Sequence, residues 1–145
     1  MKSSAQPKKA EKKHIYILGD PKVGKTALID RFTQKTFPSK YQPTVDICCR
    51  IVLNTVFHDF AGKPTNLDFI QSYLTRDSKQ KPSLVIFVFD VTNNASLTNI
   101  EKRWFNFAKT QMQQSNLPKL LIANKLDISA SERVVSTKEA AEFAR

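Results

Sequence analysis

The chain has 145 residues, a formal net charge of +10, and a composition that is 41% hydrophobic and 25% charged. This length is typical of one domain around one hydrophobic core, and this composition excludes a disordered chain. The adjacent Cys48 and Cys49 indicate neither a disulfide framework nor a metal site, and they fit a reducing, intracellular compartment. An apolar run of the roughly 18 residues that a membrane-spanning helix needs is absent, and we expect no lipid anchor in this chain.

Residues 1–13 are polar and lysine-rich, with five lysines against one glutamate, so they carry +4 of the net charge. Such a segment predicts a basic, flexible N-terminal tail. A basic surface also suits phosphates, nucleic acid or an anionic membrane. Aromatic residues are not interleaved with these lysines, so we expect no direct binding of nucleic acid.

From residue 14 onward, predicted strands alternate with predicted helices. Short apolar runs predict strands at 14–18, 45–53, 56–60, 84–91 and 120–123. Apolar residues at spacings of three and four predict helices from Lys25, within 63–82, over 97–112, and from a capping box at Ser136 and Glu139 to the chain end. The alternation predicts a three-layer α/β fold with a mostly parallel sheet.

A phosphate-binding loop connects the first predicted strand to the first predicted helix. Its glycines let backbone N–H groups converge on phosphates, and the helix N-terminus adds its positive dipole. Lys25 would neutralise the β- and γ-phosphates, and the Thr26 hydroxyl would ligate Mg²⁺. The predicted binding residues are Gly19, Asp20, Pro21, Lys22, Val23, Gly24, Lys25, Thr26 and Ala27.

A P-loop alone leaves kinases, ATPases and GTPases open, and two later motifs decide between them. Residues 124–127 read Asn-Lys-Leu-Asp after a predicted strand, and residues 59–62 read Asp-Phe-Ala-Gly. Together with the P-loop, these motifs resemble the Ras superfamily of small GTPases. The resemblance implies that Asp127 selects guanine through its N1 and exocyclic amine, while Asn124 and Lys125 support the base and the P-loop. It also implies that Asp59 holds Mg²⁺ through water and that the Gly62 amide contacts the γ-phosphate.

The segment between these motifs is similar to switch I of that superfamily. Phe37 lies 12 residues after Lys25 and Thr44 lies 19 residues after it, which is the spacing in Ras and Rab proteins. The resemblance implies that Phe37 packs against guanine, that Tyr41 covers the phosphates, and that Thr44 coordinates Mg²⁺ when a γ-phosphate is present. The implied ligands are GTP or GDP with Mg²⁺, and the implied metal set is Thr26, Thr44 and Asp59.

Within the superfamily, residues 90–93 (Asp-Val-Thr-Asn) followed by Ser96-Leu97 resemble Rab proteins. The Gly-Asp-Pro start of the P-loop and the Lys after residues 59–62 resemble Rab-like GTPase subunits of the intraflagellar transport complex. This resemblance implies a molecular switch in vesicular or intraflagellar transport. Its partner would be a protein effector or an intraflagellar transport subunit, in the cytoplasm or in a cilium or flagellum.

Several positions depart from the family pattern. Lys63 stands where most members carry the glutamine that orients the attacking water, and a protonated lysine only donates hydrogen bonds. We therefore expect slow intrinsic hydrolysis, with Lys25, Thr44, Gly62 and Lys63 as the catalytic set; the alternative is that Lys63 is an exposed loop residue and another group positions the water. Pro21 removes one N–H from the P-loop, or simply fills a turn.

The hairpin between Thr44 and Asp59 is shorter than in the family, and the chain ends before the family's last strand, second guanine-contacting loop and C-terminal helix. We expect a C-terminally truncated G domain over 14–145, with apolar surface exposed on one face and edge of the sheet. These departures keep open a second function, a non-hydrolysing adaptor subunit that uses the fold for constitutive complex assembly. His14 and His58 are expected to be structural.

Overall fold

The computed structural model describes residues 10–76, 80–114 and 116–145. Most of the predicted tail, residues 1–9, lies outside these ranges. The strands are β1 (Lys13–Leu18), β2 (Ile47–Val52), β3 (Thr55–Phe60), β4 (Pro82–Asp90) and β5 (Lys119–Asn124). The helices are α1 (Lys25–Gln34), α2 (Leu67–Arg76), α3 (Asn94–Asn99), a π-helical segment (Ile100–Phe105), α4 (Asn106–Met112) and α5 (Thr137–Phe143), with short 3₁₀ turns at Pro64–Asn66 and Ala130–Glu132.

The five strands form one sheet in the order β2-β3-β1-β4-β5. β2 pairs with β3 antiparallel as a hairpin, and the other three pairings are parallel. The predicted α/β fold with a mostly parallel sheet is therefore confirmed. Because the parallel strands end at the same edge of the sheet, the loops after β1, β3, β4 and β5 meet there.

The sheet is covered on both faces by apolar clusters. The larger one packs Leu18, Phe60 and Phe89 against Trp104 of the π-helical segment, and the smaller one packs Ile17 and other strand residues against α1. Beside α1, an apolar hollow of about 350 Å³ opens on the sheet face. Among the described residues, no helix has both the length and the apolar character required to cross a membrane.

Element boundaries differ from the sequence-based prediction in several places. β1 begins at Lys13, within the predicted tail, because its N–H donates to the carbonyl of Asn54 at 2.9 Å. β2 begins at Ile47 instead of residue 45. The hairpin turns at Leu53 and Asn54 rather than at Asn54 and Thr55, since Thr55 pairs with Val52.

The predicted helix over 97–112 begins earlier, at Asn94, and is not one regular helix, because its middle is π-helical. β4 also begins two residues earlier than predicted, at Pro82, where the first position of a strand tolerates a residue without N–H. The cap of α5 is confirmed, since Ser136 Oγ accepts from the N–H of Glu139 at 3.1 Å. That helix ends at Phe143, before the last residue of the chain.

His58 lies in the interior of the sheet, as expected for a structural residue. Its side chain is 1% exposed, its Nε2 is 2.9 Å from His14 Nδ1, and its Nδ1 is 3.0 Å from the Tyr73 hydroxyl of α2. Burial, and then the charge of His14, lowers the pKa of His58 to about 4. His58 is therefore neutral in the folded protein at neutral pH and links β3 to α2.

This lowered pKa predicts a loss of stability in acid. The neutral form is favoured by folding, so the stabilising contribution is complete above pH 6.5 and is lost as pH falls from 6.5 towards 4. In urea unfolding at several pH values in this range, we expect His58→Gln to show a shallower decline in unfolding free energy, by about 2 kcal/mol. An identical pH dependence in parent and variant would contradict this assignment.

Candidate functional site

The loop between β1 and α1 curls around a space at the carboxyl edge of the sheet. Gly24 has a φ of 96° and Lys22 has a φ of 65°, both in the left-handed region. A Cβ on Gly24 would lie 2.2 Å from Asn124 Nδ2, so a larger residue does not fit. Gly24 is also the N-cap of α1 and has no side chain to cap it, which leaves the first N–H groups of the helix available to a ligand.

Lys25 is the buried cation of the site, with 6% of its surface exposed. Its ammonium donates to the carbonyls of Gly19 at 2.9 Å and Asp20 at 2.8 Å, so it lies folded back along the loop. Burial lowers the pKa of Lys25 to about 8, and the carboxylates of Asp59 and Asp20 oppose this shift. Lys25 therefore supplies a positive charge that is poorly solvated.

Three oxygen-bearing side chains converge beside Lys25. The Thr26 hydroxyl donates to Asp59 Oδ2, the Thr44 hydroxyl lies 3.3 Å from the same oxygen, and the two hydroxyls are 3.1 Å apart. Asp59 is 2% exposed, and burial raises its pKa, while hydrogen bonds from Thr26 and the charge of Lys25 act in the opposite direction. Thr26, Thr44 and Asp59 are the predicted metal set, and the structure brings them together.

This cluster fits a hard divalent cation. Within the described part of the chain, Asp59 Oδ1 is a buried oxygen that accepts no hydrogen bond. A buried, unsatisfied carboxylate oxygen is costly, and carboxylate and hydroxyl oxygens are the ligands that Mg²⁺ prefers. Thr26, Thr44 and Asp59 are therefore the residues that would hold Mg²⁺.

A cleft of about 420 Å³ lies between the P-loop and the segment 38–44. Its walls carry five cationic side chains against one carboxylate, Asp30. The five are Lys22, Lys25, Lys40, Arg50 and Lys63. Such a cleft attracts a polyanion such as a polyphosphate.

Arg50 and Asp30 were missed by the sequence analysis. Arg50 on β2 donates through Nε to Asp30 Oδ1 on α1 at 3.2 Å, and both line the cleft. The sequence signal was a charged residue inside the apolar run of β2. Its meaning depends on the packing of β2 against α1, which residue spacing does not show.

The predicted nucleotide-binding residues fall into three groups, of which the guanine-contacting residues are the third. The first group lines the cleft and consists of Pro21, Lys22, Gly24, Lys25, Thr26, Ala27, Tyr41, Thr44 and Gly62. Lys63, which was predicted as a catalytic residue, lines the cleft as well. Gly19, Asp20 and Val23 are buried behind its wall, so these three would act through the shape of the loop.

The predicted guanine-contacting residues lie outside the cleft wall. Asn124 donates through Nδ2 to the carbonyl of Val23 at 2.8 Å, so it braces the P-loop. Lys125 pairs with Asp90 Oδ2 at 2.6 Å. Asp127 lies exposed in the turn after β5, and Phe37 is 75% exposed. The structure therefore places Asn124 against the P-loop, while Asp127 and Phe37 are exposed.

Gly62 contacts the P-loop backbone directly. A Cβ on Gly62 would lie 2.4 Å from the carbonyl carbon of Asp20 and 2.4 Å from the nitrogen of Pro21. Both atoms belong to the main chain, which cannot rotate away as a side chain does. The loop after β3 is thus tightly packed against the P-loop.

This close packing predicts the effect of Gly62→Ala. The methyl group would force the two loops apart, and we expect a loss of about 1–3 kcal/mol in unfolding free energy, as for overpacking. Chemical denaturation measures it, with Thr65→Ala, at an exposed neighbouring position, as the control. An unchanged stability for Gly62→Ala would show that the loops separate freely.

A P-loop that opens a helix beside an aspartate on the adjacent parallel strand defines a P-loop nucleotide-binding domain. Residues 14–145 match the sequence model of the Ras family, and the chain belongs to that family. The chain is 30% identical to "Ras-related protein RABC1" of Arabidopsis thaliana in an alignment of 151 positions, which covers 99% of this chain and 68% of the relative.

Two animal proteins are similarly related. The "Intraflagellar transport protein 27 homolog" of Bos taurus is 32% identical over 140 residues, covering 88% of this chain and 72% of that protein. "Ras-related protein Rab-39A" of Mus musculus is 32% identical over 139 residues, covering 87% and 61%. The chain thus spans about two thirds of the length of these relatives, and its small-GTPase, Rab-like character follows from them and from the family match.

Proposed function

We propose that this chain is a Rab-like molecular switch that binds GTP and GDP with Mg²⁺ and hydrolyses GTP slowly by itself. The observation that carries the proposal is the convergence of Lys25, Thr26, Thr44 and Asp59 at one end of a strongly cationic cleft. Membership of the Ras family supports guanine nucleotide as the ligand. In this proposal, Mg²⁺ held by Thr26, Thr44 and Asp59 neutralises charge on the phosphates.

The switch would operate through the two loops that border the cleft. Thr44 belongs to the segment 38–44, and Gly62 belongs to the loop after β3, where it contacts the P-loop. A γ-phosphate would offer both residues a shared contact, so the two loops would order together in the GTP form. A protein effector would then bind that ordered form.

Isothermal titration calorimetry of the purified chain tests nucleotide binding. We expect heat from GDP and GTP in the presence of Mg²⁺, weaker binding in EDTA, and no heat from ATP. A folded protein that binds neither GDP nor GTP at millimolar concentration would refute the proposal.

Selection of guanine is assigned to Asp127. Its carboxylate would accept from two guanine N–H groups, whereas the amide of Asp127→Asn presents a donor to them. We expect Asp127→Asn to weaken GDP binding on the order of 100-fold in calorimetry. Xanthosine diphosphate has a carbonyl in place of the exocyclic amine, so it should bind the variant better than GDP does. Glu132→Gln, which neutralises an exposed carboxylate nearby, is the control, and equal GDP affinity in parent and Asp127→Asn would exclude Asp127.

Slow hydrolysis is assigned to Lys63, which is exposed and lines the cleft. A glutamine there both accepts and donates hydrogen bonds, so it can orient an attacking water. We expect Lys63→Gln to raise the single-turnover rate of GTP hydrolysis about tenfold or more. Lys109→Gln, at an exposed position on α4, serves as the matched control. An unchanged rate in Lys63→Gln would mean that another group controls the water.

The second candidate is the adaptor subunit that holds its nucleotide without turnover. Lys63 favours it, because a cation at this position binds phosphate without positioning water. The two candidates differ in whether partner affinity depends on the nucleotide, which pull-down of a partner with GDP and with a non-hydrolysable GTP analogue would show.

The cellular role is proposed from the relatives. The bovine relative is named as an intraflagellar transport protein. We propose a role in intraflagellar or vesicular transport, with an intraflagellar transport subunit as the partner and the cytoplasm, including the cilium or flagellum, as the location.

A further inference from the structure

Three hydrogen-bond donors hold the carboxylate of Asp20 behind the P-loop. Asn99 Nδ2 donates to Oδ2 at 2.6 Å, Trp104 Nε1 to Oδ1 at 2.8 Å, and Arg103 Nη1 to Oδ1 at 3.2 Å. Asp20 is 9% exposed, and Trp104 is fully buried. A carboxylate so buried depends on these donors, because an unsatisfied charge there would be strongly unfavourable.

All three donors come from the irregular helix after β4. They occupy positions 99, 103 and 104, so the second and third donors follow the first by four and five residues. The wider turn of Ile100–Phe105 places the three side chains on one side of the helix. Single π-helical turns inside α-helices occur frequently at functional sites. Here the irregular turn aligns its side chains with the P-loop.

The main chain of Asp20 is held from two further directions. Its carbonyl accepts from the Lys25 ammonium at 2.8 Å. Gly62 packs against the main chain of Asp20 and Pro21 at a distance that excludes a Cβ. Any displacement of Asp20 would therefore move both the acceptor of Lys25 and the surface on which Gly62 rests.

The negative charge of Asp20 also requires a partner. A carboxylate in a phosphate-binding loop repels the phosphates unless its charge is balanced. Arg103 forms an ion pair with Asp20 and supplies that balance from outside the cleft. The ion pair thus reduces the repulsion between Asp20 and a phosphate that is attracted to Lys25.

We propose that Asp20 is a positioning residue which couples the nucleotide site to the helical segment 94–112 through Asn99, Arg103 and Trp104, an inference that rests on the proposed nucleotide binding. A phosphate bound by Lys25 would alter the hydrogen bond that its ammonium donates to the Asp20 carbonyl, and the loop would adjust. The carboxylate transmits this adjustment to the indole of Trp104. In the opposite direction, the three donors keep the loop in its binding shape.

The rate of GDP release tests the positioning role. We expect Asn99→Ala and Arg103→Ala each to release a fluorescent GDP analogue about threefold faster than the parent, and the double variant about tenfold faster. The reason is that each substitution removes a hydrogen bond to the Asp20 carboxylate. Arg103→Lys keeps the charge and should stay near the parent rate. Lys102→Ala, which removes an exposed neighbouring cation, is the matched control.

The chain contains a single tryptophan, so its emission reports on Trp104. We expect saturating GDP with Mg²⁺ to change this emission in the parent, and to change it less in the double variant. If the donors acted in folding alone, the nucleotide would change the emission equally in the parent and in the double variant.

The outcomes separate the two proposals. If calorimetry shows no nucleotide binding by the parent, the proposed function fails and this inference fails with it. If the parent binds GDP but its tryptophan emission does not respond, or if the variants release GDP within about twofold of the parent, only the coupling through Asp20 is overturned. If the double variant does not fold, the single variants, each at a partly exposed position, decide the question by the same criterion.

Discussion

The burial of two opposite charges side by side, Lys25 and Asp59, is the constraint on which the rest of the site depends. Desolvation lowers the pKa of Lys25 and raises that of Asp59, although each group favours the charged form of the other. Burial therefore outweighs the mutual attraction at both positions. A ligand that brings a phosphate to the lysine and a cation to the aspartate would relieve both costs, which supports the proposal that the site takes magnesium and a nucleotide phosphate together.

The packing around that pair explains where the chain uses glycine. The sequence contains three glycines, and a Cβ on any of them would lie 2.4 Å or less from a neighbouring atom. The neighbours are Val88 O for Gly19, Asn124 Nδ2 for Gly24, and Asp20 C for Gly62. Every glycine of the chain thus lies where the P-loop meets another segment. The site is compact because the backbone itself forms its walls.

Much of the fold could be predicted from the sequence, and the P-loop could be located in it, because both depend on local patterns. The strand β4 is recognised from its apolar run, and the P-loop from its glycines, lysine and threonine. Each pattern lies within a few residues of the sequence. The π-helical turn could not be predicted in this way, since its apolar residues also fit an ordinary helix. The three hydrogen bonds to the Asp20 carboxylate join residues that are 79, 83 and 84 positions apart in the sequence. The pairing of Arg50 with Asp30 depends on how β2 packs on α1. Such contacts follow from the assembled fold.

The charge distribution in the cleft bears on the choice between switch and adaptor. The cationic residues Lys22, Lys40, Arg50 and Lys63 attract a polyphosphate in its ground state as well as in a transition state of similar total charge. Interactions of equal strength in both states tighten binding without accelerating the reaction. Acceleration requires a group that orients water, and Lys63 as an ammonium has no acceptor for it. In the proposed function, the cleft would therefore favour retention of the nucleotide over turnover, and a partner that supplies the acceptor would control the lifetime of the GTP form.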